Sequence, residues 1–221
     1  MDTLPAVEHE TAANPRWSVI WLHGLGADGH DFAPIVPELV APGWPALRFV
    51  FPHAPVRPVT VNGGMAMRAW YDIKGLDIAS QEDEAGIRAS IAAVRALIAR
   101  EQARGVAPGR IVLAGFSQGG AIALAGGLRL DEPLAGIIAL STYLPLAGSL
   151  AAERSAANAA VPIFQAHGQA DPVVPLALGS ASRDALLALG YRVDWHVYPM
   201  GHAVCPQEIA DLRAWLGSRL R

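Results

Sequence analysis

Two kinds of apolar pattern alternate along the chain. Six short runs, rich in β-branched or aromatic residues, predict strands: Trp17 to Leu22, Leu47 to Phe51, Ile111 to Gly115, Ala135 to Leu140, Val161 to Ala166 and Tyr191 to Tyr198. Those nearest residue 117 lack polar alternation, as strands of a parallel sheet covered on both faces do. Between the runs lie segments with helical spacing. The clearest spans Gln81 to Arg104, where Ile87, Ile91, Val94 and Ile98 recur on one face. Ser80 with Asp83 forms a capping-box pattern, Glu82 and Glu84 add acid at the start, and Gly105 stops the helix. Leu176 to Leu189 and Gln207 to Leu220 predict later helices, the last preceded by Pro206 at a first-turn position. The alanine-rich stretch Leu150 to Ala160 reads as a loop or short helix. Strands alternating with helices predict an α/β fold with a mostly parallel central sheet flanked by helices. In such sheets ligands sit beyond the carboxyl ends of the strands.

One junction stands out. The run Ile111 to Gly115 ends in Gly115-Phe116-Ser117-Gln118-Gly119 and passes directly into the apolar Ala121-Ile122-Ala123-Leu124-Ala125. That is a buried strand, a sharp turn with serine at its tip, and a helix. Such a turn holds the serine in a strained conformation with its hydroxyl above the sheet edge. Gly115 and Gly119 are required because a Cβ at either position would collide where strand and helix pass closely. The helix start aims unpaired N–H groups at the same place. The plainer reading is an ordinary glycine-rich turn; the strand-turn-helix setting favours a nucleophile.

A serine nucleophile needs a base. Of seven histidines, His202 lies in a loop just after the run ending at Tyr198. His196 lies inside that run, His9 in the polar tail and His30 at a helix start, while His23, His53 and His167 end strands and are suited to tying down loops. The base needs a carboxylate to fix its tautomer, and Asp171, in the segment after the strand ending at Ala166, is placed to supply it; the competing reading is an Asp-Pro turn. The order Ser117, Asp171, His202 is that of an α/β-hydrolase triad. Two backbone donors must hold the oxyanion. We expect them from Gln118 and from Leu25 in the loop His23-Gly24-Leu25-Gly26-Ala27-Asp28-Gly29, with Gly24 as the substitute for Leu25. This loop also matches the dinucleotide fingerprint G-x-G-x-x-G. The acidic residue that fingerprint requires at the end of the second strand is missing, and Pro34 and Pro37 disfavour a phosphate-facing helix. No His-Glu-x-x-His or close His/Cys pairing suggests a metal.

Composition narrows the rest. The 221 residues are 52% hydrophobic and 17% charged, enough for a large core, so we expect a tail at 1–16 and a single domain at 17–221 without a large cap. A net charge of -3 with no basic cluster argues against nucleic acid as a partner. Cys205 is the sole cysteine, so no internal disulfide can form. The segment Met1 to Pro15 has no apolar signal region, and no run reaches membrane-spanning length. A cytoplasmic protein without integral membrane association is expected.

Together the motifs resemble those of the carboxylesterase and acyl-protein thioesterase family of α/β-hydrolases. The resemblance is carried by Gly115 to Gly120, His23 to Gly29, Ala69-Trp70-Tyr71-Asp72-Ile73, His167-Gly168 with Asp171 to Pro175, and Pro199-Met200-Gly201-His202. It runs in order from about Trp17 to the last helix. It implies Ser117, Asp171 and His202 as triad, Leu25 and Gln118 as oxyanion donors, no cofactor, and an ester or lipid-like ester as substrate. Some members are homodimers. The segment Val61 to Ala79 carries scattered apolar residues among Gly63, Gly64 and Gly75 with no sustained period. It either lines an acyl pocket, as a lid or wall, or packs its loop onto the sheet. The pocket reading gives Trp70, Tyr71, Ile73 and Leu76 to the substrate, with Leu144 and Pro145 on the opposite wall and Val173 beside Asp171. The expected function is a serine carboxylesterase acting on short- to medium-chain esters through an acyl-enzyme. The alternative is an acyl-protein thioesterase or lysophospholipase with the same triad. A non-catalytic binding protein on this scaffold would have lost a triad member, and none is lost.

Overall fold

The computed structural model describes residues 3–75 and 81–220. In chain order the strands are β1 (Ala6–Glu10), β2 (Trp17–Leu22), β3 (Leu47–Pro52), β4 (Val56–Val59), β5 (Met65–Arg68), β6 (Ile111–Phe116), β7 (Gly136–Leu140), β8 (Ile163–Gly168) and β9 (Val193–Tyr198). The helices are α1 (Val36–Leu39), α2 (Glu84–Ala103), α3 (Gln118–Gly127), α4 (Ala147–Glu153), α5 (Leu176–Ala188) and α6 (Pro206–Arg219). Seven strands form one sheet in the order β1-β3-β2-β6-β7-β8-β9, while β4 and β5 form a separate hairpin. Every pairing in the large sheet is parallel except β1 with β3.

The apolar runs become strands because both of their faces are covered. Every residue of β2, β3 and β7 is buried. Ile20, Leu22, Leu113 and Ile137 belong to the apolar layer shared with α2 and α3. Val19, Trp21, Val112 and Ile138 belong to the layer shared with α1 and α6. Alternate residues of each strand thus point into two different cores, which is why the runs carry no polar alternation. All ten residues of α3 are buried, so this helix shows no polar face either.

Element boundaries shift for local reasons. β8 starts at Ile163 rather than Val161 because Pro162 has no N–H for the ladder; its carbonyl accepts from Ile137 N instead. β9 starts at Val193 because α5 ends in a glycine cap: Gly190 has φ 87°, and Tyr191 N–H turns back to Leu186 O. Asp83 caps α2, its carboxylate accepting from Gly86 N at 3.2 Å; the Ser80 half of the expected capping box lies outside the described residues. Part of the stretch expected as a tail is a strand. β1 pairs along β3 from Ala6↔Pro52 to Glu10↔Arg48. Its charges are engaged: Glu8 pairs with Arg100 and Arg104, and Glu10 with Arg48, whose guanidinium also meets the fully buried Glu101. Charged side chains that read as a solvated tail here stitch an edge strand to the end of α2.

Glu208, in the first turn of α6, is buried with no well-formed hydrogen bond to a described residue. Burial pushes its carboxyl up to about 8, against a smaller opposing pull from the Cys205 amide. A carboxyl whose folded pKa is raised binds its proton more tightly folded than unfolded. Its contribution to stability is therefore full below the ordinary value of 4.5 and is lost as pH rises toward about 8. Thermal unfolding of Glu208→Gln should give a higher midpoint than the parent at pH 8, with the gap closing near pH 5; a gap independent of pH would contradict this.

Candidate active site

Ser117 sits between β6 and α3 at φ 54° and ψ -121°, a region that residues with a Cβ seldom occupy. The surroundings hold it there. Ser117 N–H donates to Leu140 O at 2.9 Å, and its carbonyl accepts from Thr142 Oγ1 at 2.7 Å and from Ala121 N at 3.1 Å. A Cβ on Gly115 would lie 2.3 Å from Gly119 O, and one on Gly119 would lie 2.2 Å from Leu22 O. Both glycines are therefore required by close backbone approach, as the sequence suggests.

The loop after β2 is fixed by His23. Its Nδ1–H donates to Gly24 O at 2.7 Å, while Nε2 accepts from Ala54 N at 3.0 Å, a pairing that defines the neutral tautomer. Burial lowers its pKa below the ordinary 6.5. Gly26 N–H is held by Arg68 O of β5, and Ala27 N–H by Gly24 O. Among the described residues, Leu25 N–H and Gln118 N–H have no acceptor. The side chain of Gln118 acts separately: its Oε1 accepts from Trp70 N and its Nε2 donates to Tyr71 O, both at 2.8 Å. The glycine-rich loop leads only into a 3-10 turn at Ala33–Ile35 and the four-residue α1, so no long helix starts where a pyrophosphate would sit.

Asp171 and His202 come from the loops after β8 and β9. The loops are joined by Gln169 N to Tyr198 O and Ala170 N to Met200 O, and a Cβ on Gly168 would lie 2.1 Å from Gly201 O. Asp171 is buried. Its Oδ1 accepts from Val173 N and Val174 N, and its Oδ2 accepts from His202 Nδ1 at 2.7 Å. With Nδ1–H committed to the carboxylate, the basic lone pair of His202 lies on Nε2. The imidazole rests on the Phe116 ring, 4.7 Å between centroids, one residue before Ser117. Ser117 Oγ and His202 are not hydrogen-bonded to each other here, a contact that commonly tightens only around substrate. His167 and His53 tie loops: His167 Nε2–H donates to Val174 O, and His53 Nδ1 accepts from Gly29 N.

Ser117, Gln118 and Leu25 line a cavity of about 330 Å³. Of the residues expected to meet substrate, Tyr71, Ile73 and Val173 line it. Trp70 does not: it is fully buried, with its indole N–H on His23 O at 2.9 Å, and so packs the loop onto the sheet. Leu144 does not either, being buried in the core with its N–H on Ser182 Oγ. Leu76 lies outside the described residues. Val61 and Asn62, at the start of the segment expected to line a pocket, also border it, as do Tyr143 and Val174, which the sequence pattern does not single out. Position after β7 was the available signal for Tyr143, whose hydroxyl meets that of Tyr71 at 2.9 Å. Burial pushes Tyr143 up to about 12 and Tyr71 well above its ordinary 10.0, so both stay neutral. A wider groove of about 760 Å³ along α2 touches none of these groups. Among the described residues, no group of three or more metal-ligating side chains is gathered.

Comparison with known proteins gives a consistent picture. The family model described as phospholipase/carboxylesterase matches residues 5–219. The chain is similar to acyl-protein thioesterase 1 of Neurospora crassa, 43% identical over 98% of this chain and 90% of the relative. It is 40% identical to acyl-protein thioesterase 1 of Mycosarcoma maydis over 95% of this chain and 94% of that one. The crystal structure of Zea mays acyl-protein thioesterase 2 superposes with a TM-score of 0.85 at 30% identity, covering 98% of this chain and all (100%) of that one.

Proposed function

Because the chain belongs to the phospholipase/carboxylesterase family of α/β-hydrolases, we propose that it hydrolyses acyl thioesters, including S-acylated cysteines of proteins, together with the matching oxygen esters. Hydrolase chemistry follows from the family; the thioester substrate is the finer step. It is supported by relatives named acyl-protein thioesterases at about two-fifths identity along nearly the whole chain. The observation carrying the catalytic assignment is the Asp171–His202 hydrogen bond, set on the ring that precedes a strained serine.

In this reading Ser117 Oγ attacks the acyl carbonyl carbon as His202 Nε2 takes its proton. Asp171 keeps the imidazole in the right tautomer and stabilises the imidazolium. The N–H groups of Leu25 and Gln118 receive the oxyanion. His202 returns the proton to the departing sulfur or oxygen, and water then repeats the sequence on the acyl-enzyme. The acyl chain occupies the cavity lined by Tyr71, Ile73, Tyr143 and Val173, and no cofactor takes part.

The test compares thioester and oxygen ester carrying one acyl group. The thioester is expected to be turned over with a kcat/KM at least equal to that of the oxygen ester; strong turnover of the oxygen ester alone would return the protein to the carboxylesterases. Covalent labelling by a fluorophosphonate should map to Ser117. Tyr143 also borders a smaller hollow beyond the cavity, lined by Glu82 and Lys74. Tyr143→Ala removes the ring and its hydroxyl partner, so the kcat/KM optimum should move to acyl chains longer by two or more carbons. An unmoved optimum across a chain-length series would remove Tyr143 from the wall.

A further inference from the structure

A second cleft, of about 410 Å³, shares no lining residue with the Ser117 cavity, yet His202 lines it. Consecutive residues face different spaces: Ser117 borders the first cavity and Phe116 the second. The Phe116 ring carries His202 on one contact and meets Phe32 on another, at 4.7 Å and 5.4 Å between centroids. Ile35 and Ile209 extend this apolar floor. The exposed carboxylates Asp31 and Glu38 stand at its edge. The nearby Arg213 guanidinium is engaged by the Glu38 backbone carbonyl, Nε to O 2.7 Å.

We propose that this cleft binds the leaving-group half of the substrate and selects a cationic one, the cysteine thiol of a peptide flanked by lysine or arginine. The inference rests on the acyl-transfer reading above and adds to it the identity of the other half. The chemistry fixes which half goes where. The acyl carbonyl must lie at Ser117 and the Leu25 and Gln118 amides, so the acyl chain belongs to the cavity those residues line. When the carbon–sulfur bond breaks, the electron pair leaves on sulfur, and the proton that His202 took from Ser117 passes to that sulfur. The departing atom must therefore lie beside His202, and the chain attached to it enters the space His202 borders. Apolar floor with acidic rim suits aliphatic stems that end in positive charge. Each carboxylate at a wet rim is worth a factor of about two to three, less as salt is added.

The experiment uses S-acyl peptides with one acyl group and one cysteine, flanked by lysine, serine or aspartate, alongside a small neutral thioester. The expected order of kcat/KM is lysine, serine, aspartate, with lysine over serine by about fivefold at low ionic strength, narrowing at high salt. In Asp31→Asn/Glu38→Gln the lysine-to-serine ratio within the variant should fall to about one, whatever its absolute rates. Deacylation, measured on the shared acyl-enzyme, should not depend on the peptide. A flat or inverted order in the parent overturns the inference, and a ratio that survives the double substitution removes it from this cleft. Turnover of the small thioester without peptide discrimination leaves the acyl-transfer reading standing and this one fallen. No turnover of any thioester removes both.

Discussion

Ser117→Ala is expected to lower kcat by about ten-thousandfold to a millionfold with the fold intact. The loss is large because the covalent route disappears; what remains is the modest catalysis of the oxyanion donors and binding alone. The fold should survive for a structural reason. Ser117 Oγ makes no hydrogen bond to a described residue, and the backbone at φ 54° is held by Leu140, Thr142 and Ala121 through main-chain atoms that alanine keeps. Turnover of a thioester by purified variant, beside its thermal midpoint, checks both halves. A midpoint within a few degrees of the parent with ordinary turnover would mean that another residue is the nucleophile.

Gly119→Ala should fail in the opposite way, by loss of the fold. The added Cβ would lie 2.2 Å from Leu22 O, 2.5 Å from Leu22 C and 2.6 Å from His23 O. These are main-chain atoms at the end of a central strand, so no rotamer relieves the contact. Either α3 moves off the sheet, opening a core buried on both sides, or β2 shifts and takes the Leu25 loop with it. We expect a cost of about 3–5 kcal/mol, a large share of the 5–15 kcal/mol typical of a domain. That corresponds to a midpoint lower by roughly 10 °C or more, or to insoluble protein. Gly148→Ala, in α4 with nothing within 4 Å of its added Cβ, is the control and should be near neutral. Equal midpoints for the two variants would refute the packing argument.

The sequence was most informative where one physical demand acts alone. Strands covered on both faces are largely apolar, with Ser18 and the ion-paired Arg48 as exceptions, so β2, β3, β6 and β7 could be read directly. The turn at Ser117 needs glycines that backbone contact enforces. Asp171 and His202 could be placed because β8 and β9 end just before them. The reading weakened where contact partners decide. Charged β1 is a strand because Arg48, Arg100 and Arg104 meet its glutamates, and none of those pairings is local. The hairpin of β4 and β5 has strands of four residues, too short for a period to register. Trp70 and Tyr71 are adjacent and both aromatic, yet one is core and the other cavity wall. Which way each points is set by His23 O and by Tyr143, groups 47 and 72 positions away.

Gln118 has a consequence for how this hydrolase could acquire a new acyl preference. In the proposed mechanism this residue offers its main-chain amide to the reacting oxygen, and its carboxamide grips the main-chain N–H of Trp70 and carbonyl of Tyr71. Changing Gln118 itself would loosen the 70–71 backbone and that amide together, so gains in selectivity from position 118 would come with slower chemistry. The side chains of Val61, Tyr71 and Tyr143 border the same space with no side-chain bond to Gln118, the two tyrosines meeting each other instead. Directed diversification at those positions should yield altered chain preference with turnover largely retained, and libraries at Gln118 or at the fully buried Trp70 should not.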